Sequence, residues 1–156
     1  MAIQLPREKP FVQFNFLVNL GIGPDANSID AGFQEVSGLG MEVAVTEYRP
    51  GNKKENNVMK ITGLNKSADV TLKRGIIGSD TLYKWLDKIR LGDETQTQNV
   101  TVQLQSEDHS TTVATWTLTN ARPIKYTCGP LNAKGNDVAL EEVVLAFERY
   151  SMEVGK

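Results

Sequence analysis

The chain has 156 residues, a formal net charge of −2, 40% hydrophobic residues and 23% charged residues. That is the make-up of an ordinary domain long enough to bury a core, and it gives no support to tight nucleic-acid binding, which needs a strongly basic face. Cys128 is the single cysteine, which excludes an intrachain disulfide, and no stretch approaches the roughly 18 apolar residues of a membrane helix.

In chain order, residues 1–10 read as an N-terminal arm, with Pro6 and Pro10 separated by charges. The arm lacks the apolar core of a signal peptide. Phe11 to Leu20 predicts a strand with Val12, Phe14, Phe16, Val18 and Leu20 on one face. A Gly- and Pro-containing turn over Gly21 to Asn27 follows, then a strand over Ser28 to Val36. Gly38 and Gly40 break the chain. Met41 to Tyr48 alternates again, with Met41, Val43 and Val45 together, which predicts a half-buried strand. Pro50-Gly51 stops it, and Asn52 to Asn57 is a polar loop. Val58 to Ile61 returns across that loop and predicts a long hairpin, with a turn over Leu64 to Ser67.

Ala68 to Lys73 predicts a short strand ended by Arg74-Gly75. Ser79 to Leu91 carries Leu82, Leu86 and Ile89 at helical spacing, with Trp85 beside the stripe. Ser79 or Asp80 can cap this helix, and Gly92 can end it. Asn99 to Gln105 and Thr111 to Asn120 alternate as strands. Ile124 to Thr127 continues irregularly. The last strand, Val138 to Tyr150, changes phase around Glu141-Glu142, which predicts a bulge there. About eight strands and one helix packed outside them define a mainly β sandwich or barrel, a single domain over residues 11–154.

Chemistry is hard to assemble from these residues. His109 lies in a polar turn with no partner to orient it as a base. Cys128 reads as a buried or semi-buried thiol. One Cys and one His cannot make a zinc site, and the acidic pairs Asp93-Glu94 and Glu107-Asp108 read as solvated turns. Glu141 and Glu142 are adjacent on a strand, so they point to opposite faces and cannot share a substrate. Trp85 and Trp116 read as core residues. No phosphate-binding glycine loop is present. No catalytic set, metal or cofactor is therefore expected. A carbohydrate-binding β-sandwich is the alternative among binding modules.

The stretch FQEVSGLGMEV followed by TEYRPG, over Phe33 to Gly51, resembles the tail-tube family of contractile phages and of phage-tail-like injection particles. The likeness continues at Ile61-Thr62-Gly63-Leu64, Val70 to Gly75, Trp85, Asn120 to Pro123 and Glu141 to Glu148, in order along most of the chain. It leans to the inner tube proteins of extracellular contractile injection systems. The secreted tube protein of type VI systems is a related barrel that fits these motifs less well. The resemblance implies a tail-tube β-barrel of two sheets with an outer helix. It implies hexameric rings stacked into a hollow tube inside a contractile sheath, with a baseplate or spike hub and a terminating cap as partners. Luminal cargo would be protein, or DNA in a phage. Assembly in a bacterial cytoplasm and release as part of a particle or virion tail are expected. The candidate ring-to-ring contacts are Tyr48, Arg49, Lys53, Lys54, Glu55 and Lys60. Gly38, Leu39 and Glu141 are candidates for fold and inter-subunit pairing.

Overall fold

The computed structural model describes residues 8–21 and 32–155. Among these residues nine strands and one helix follow one another: β1 (Phe16–Asn19), β2 (Glu35–Ser37), β3 (Met41–Tyr48), β4 (Met59–Ser67), β5 (Val70–Gly75), α1 (Thr81–Arg90), β6 (Gln98–Gln105), β7 (Thr112–Cys128), β8 (Leu140–Ala146) and β9 (Arg149–Val154). The fold is mainly β, with the strands joined in the order β1-β6-β7-β8-β5-β2 and β9 added to β7. All pairings are antiparallel.

The long strand β7 is the fold's spine. Its first half pairs with β6 and β9, and its second half with β8. One sheet is therefore β1-β6-β7-β9 and the other β7-β8-β5-β2. Alternation sends Val18, Val100, Val102 and Leu118 inward from the first, and Val70, Leu72, Val143 and Leu145 inward from the second. Each such side chain contributes about 1.5–3 kcal/mol by leaving water. Helix α1 adds Leu82 and Trp85 to the same core, and the Trp85 indole donates to the Gln96 carbonyl at 2.8 Å. Gly92 ends the helix with φ +103°, its N–H donating to the Ile89 carbonyl.

Several expectations are corrected. The first strand is shorter than Phe11 to Leu20: Asn15 is buried and Phe14 is exposed, so the alternation starts only at Phe16. The turn over Gly21 to Asn27 and the first four residues of the Ser28 to Val36 strand lie almost wholly outside the described residues, as do residues 1–7 of the arm. The described strand there is only Glu35–Ser37. Leu64 to Ser67 is strand, not turn, because a register shift between Val43 and Val45 absorbs an extra residue of β4. Strand β7 runs unbroken through Pro123, which is buried at a register shift between Pro123 and Lys125. That irregularity replaces the bulge expected at Glu141-Glu142. The register of β8 against β5 is continuous, and Glu141 shares the inward face with Val143 and Leu145. The last strand is two strands, divided at Phe147-Glu148.

Candidate assembly interface

Strands β3 and β4 form a separate two-stranded sheet that packs closely on no other element among the described residues. The half-buried face expected for Met41, Val43 and Val45 is exposed in the single chain. The other face carries Tyr48, Met59 and Ile61, also exposed, and Leu64 is 83% exposed. Glu42 stands opposite Lys66 and Glu47 opposite Lys60. An isolated hairpin is marginally stable in water, and this one leaves apolar side chains uncovered on both faces.

Its tip is held by Arg49. The guanidinium donates from Nη2 to the Lys53 carbonyl at 2.8 Å and from Nε to the Glu55 carbonyl at 3.1 Å. Arg49 thus folds the loop, while Lys54, Glu55 and Lys60 are exposed and Lys53 is partly so. The six ring-contact candidates are gathered by the structure onto the outer half of one hairpin.

The hairpin base is fixed at Gly38. Its φ is +88°, and a Cβ there would collide with the Asp69 carbonyl oxygen. Only glycine meets both conditions. Leu39 packs against the edge of the core. It also lines an open groove of about 880 Å³ with Phe11, Phe14, Phe16, Phe33 and Trp116.

Glu141 is buried within its own chain. Its Oε1 accepts from Arg74 Nε at 2.5 Å and its Oε2 from the Tyr126 hydroxyl at 2.5 Å. The Arg74 guanidinium lies 5.6 Å from the centroid of the Phe33 ring. Burial, and then the hydrogen bond to Glu141, push the Tyr126 hydroxyl above the ordinary tyrosine range. Sequence reasoning missed Arg74 and Tyr126. The signal was present: Arg74 is in phase with Val70 and Leu72. Cys128 is exposed, not buried, and its thiol donates to the Tyr126 oxygen at 3.6 Å. His109 is exposed and faces Gln105. Among the described residues no cluster of His, Cys, Asp or Glu is placed to hold a metal ion, and no helix is long and apolar enough to cross a membrane.

The two sheets present different outer faces. Strand register puts Leu17, Asn19, Thr101, Gln103, Thr115, Thr117, Thr119, Ser151, Arg149 and Glu153 on the outside of β1-β6-β7-β9. Its formal charges cancel. The outside of the other sheet carries Glu35, Lys73, Lys125 and Glu142, with Lys73 Nζ 3.2 Å from the Glu35 carboxylate. Among the described residues strands β1 and β9 each pair on one side only, so both are edges that present backbone N–H and C=O groups.

A two-sheet barrel with open edges and an unsupported hairpin defines a subunit of the tube-forming class. The chain belongs to the family described as T4-like virus tail tube protein gp19, whose model matches residues 12–151. It is similar to a chain of the PVC sheath–tube complex, an extracellular contractile injection system in its extended state, at 28% identity and a TM-score of 0.81, covering 94% of this chain and 93% of that one. It is equally similar to a chain of the anti-feeding prophage baseplate, at 28% identity and a TM-score of 0.81, covering 95% and 98%. Hcp1 from Flavobacterium johnsoniae shares the fold at 13% identity and a TM-score of 0.54, covering 91% and 97%. No curated protein matches the chain in sequence.

Proposed function

We propose that the chain is the inner tube subunit of a contractile injection system, a structural conduit without catalytic activity of its own. The observation that carries this is the hairpin β3–β4: its apolar faces are exposed in the single chain and need a second copy to cover them. Head-to-tail contacts between identical subunits close into a ring when the rotation permits, and rings of one polarity stack. The family implies hexameric rings. The β1 edge of one subunit meeting the β9 edge of the next would join the four-stranded sheets into a cylinder. Its hydroxyl- and amide-rich outer face would then line the bore.

The similarity to sheath–tube and baseplate chains supports a sheath and a baseplate as partners; a cap at the tube end and protein cargo inside are what the family implies. Assembly before release of the particle from a bacterium fits the same relatives. A phage tail tube passing DNA is the second reading, favoured by the family model itself. Tyr48, Arg49, Lys53, Lys54, Glu55 and Lys60 are the ring-to-ring contacts in this account. Gly38 and Leu39 set the hairpin's direction, and Glu141 rigidifies the barrel on which it is mounted. Reversing Lys53 and Lys54 to Glu should shorten tubes in negative-stain images while the melting temperature stays unchanged. Tubes of wild-type length from that variant would count against the assignment.

A further inference from the structure

The two outer faces of the barrel carry charge differently. On the four-stranded sheet, β1, β6 and β7 turn Asn19, Thr101, Gln103, Thr115, Thr117 and Thr119 outward, and none of the outward residues that these three strands pair across this sheet is charged. The charges there belong to β9. Arg149 stands opposite Thr119 and Glu153 opposite Thr115. Four residues along one strand separate the two by about 13 Å. The second sheet instead turns Glu35, Lys73, Lys125 and Glu142 outward.

We propose, on the strength of the tube reading, that the first face makes a bore that takes polypeptide cargo of either net charge and selects it by width. A wall of one sign attracts the opposite charge and repels its own within the Debye length, about 8–10 Å in physiological salt. Here the wall is chiefly hydroxyl and amide groups, which hydrogen-bond any polar surface weakly in exchange for water. In a ring of identical subunits Arg149 and Glu153 become two belts of opposite sign. Cargo longer than the spacing between the belts meets both, and the attraction of one offsets the repulsion of the other. A protein surface carries both signs, so this wall neither traps nor excludes it. Nucleic acid suits it less well. Duplex DNA carries one negative charge per about 1.7 Å, and its phosphates accept hydrogen bonds from hydroxyl and amide side chains. A wall with no net negative charge leaves that adhesion unopposed.

Tubes assembled from the full chain test it. The fluorescent probes are a peptide of alternating Gly and Glu, a peptide of alternating Gly and Lys, and a single-stranded oligonucleotide. Co-sedimentation measures what is held, and cryo-electron microscopy shows whether it lies inside the wall. Wild-type tubes should hold the two peptides inside within about twofold of each other, with little change between about 50 and 200 mM salt, and should not favour the oligonucleotide. Thr117→Lys should hold the acidic peptide about tenfold over the basic one at low salt, and Thr117→Glu should do the reverse. Ser151→Lys, on exposed β9, repeats the test if circular dichroism finds Thr117→Lys unfolded. Wild-type tubes that hold one peptide about tenfold over the other, or that favour the oligonucleotide, would overturn the proposal and leave the tube reading standing. So would folded, tube-forming variants that behave as the wild type does. A wild-type chain that makes neither rings nor tubes would overturn both.

Discussion

Arg74 and Glu141 stand directly opposite each other on β5 and β8, both within the core layer, 1% and 3% exposed. Their side chains meet at 2.5 Å, and Tyr126 on β7 takes the second carboxylate oxygen at 2.5 Å. Three adjacent strands are thereby cross-linked at the end of the barrel where Ile76 and Val138 are exposed. Removing one partner strands a buried charge. Glu141→Ala should cost about 3–5 kcal/mol in chemical denaturation. Replacing the pair together, Arg74→Met with Glu141→Leu, should recover most of that loss. A double-mutant cycle with no coupling would refute the network.

Tyr126 gives the network a pH signature. Its hydroxyl is held protonated above the ordinary value of about 10. The unfolded chain therefore loses this proton first as the pH rises. The stability it contributes is full below about pH 10 and falls as the pH climbs beyond that. Tyr150 is raised by burial and adds in the same direction. Denaturation midpoints measured from pH 8 to 11 should decline in the wild type and decline less in Tyr126→Phe.

Gly38→Ala combines a left-handed φ with a clash against the Asp69 carbonyl. It should destabilise the chain by about 1–3 kcal/mol and reorient the hairpin. Gly40→Ala meets nothing within 4 Å and should change stability far less. Equal denaturation midpoints for the two variants would contradict this account of the hairpin base.

Arg49→Ala removes the donors that close the tip onto the Lys53 and Glu55 carbonyls. The loss of stability should be about 1 kcal/mol or less, since the loop lies outside the core. Amide exchange over residues 51–57 should speed up and tubes should become scarcer. Unchanged exchange there would show that Arg49 does not order the loop.

Much of this architecture was legible because period-two patterns survive wherever one face is buried. Val100, Val102 and Leu104 and the facing run Ala114, Trp116 and Leu118 read correctly; in the helix Leu82 and Ile89 face the core as expected, but Trp85, and not Leu86, is the buried residue between them. The hairpin's alternation was legible too, but alternation does not say what covers a face, and here no element among the described residues does. The length of β7 was hidden by Pro123, which reads as a breaker until a register shift is seen to accommodate it. Arg74 read as the end of a strand because an unpaired charge is costly to bury in a core. Its phase with Leu72, and that of Glu141 with Val143, mark the pair once the two strands are known to be neighbours. Val138, which precedes the strand, and Leu140, its first residue, disguised that phase. The exposed apolar patch of Ile76, Ile77 and Val138 needed the topology itself, since Ile76 and Val138 are far apart in sequence.

Negative-stain microscopy of the purified chain, with light scattering and with preformed tube fragments added as seeds, tests the central claim most directly. The account predicts hexameric rings and stacked hollow tubes that lengthen from the seeds. A chain that stays monomeric at every concentration, seeded or not, would contradict it.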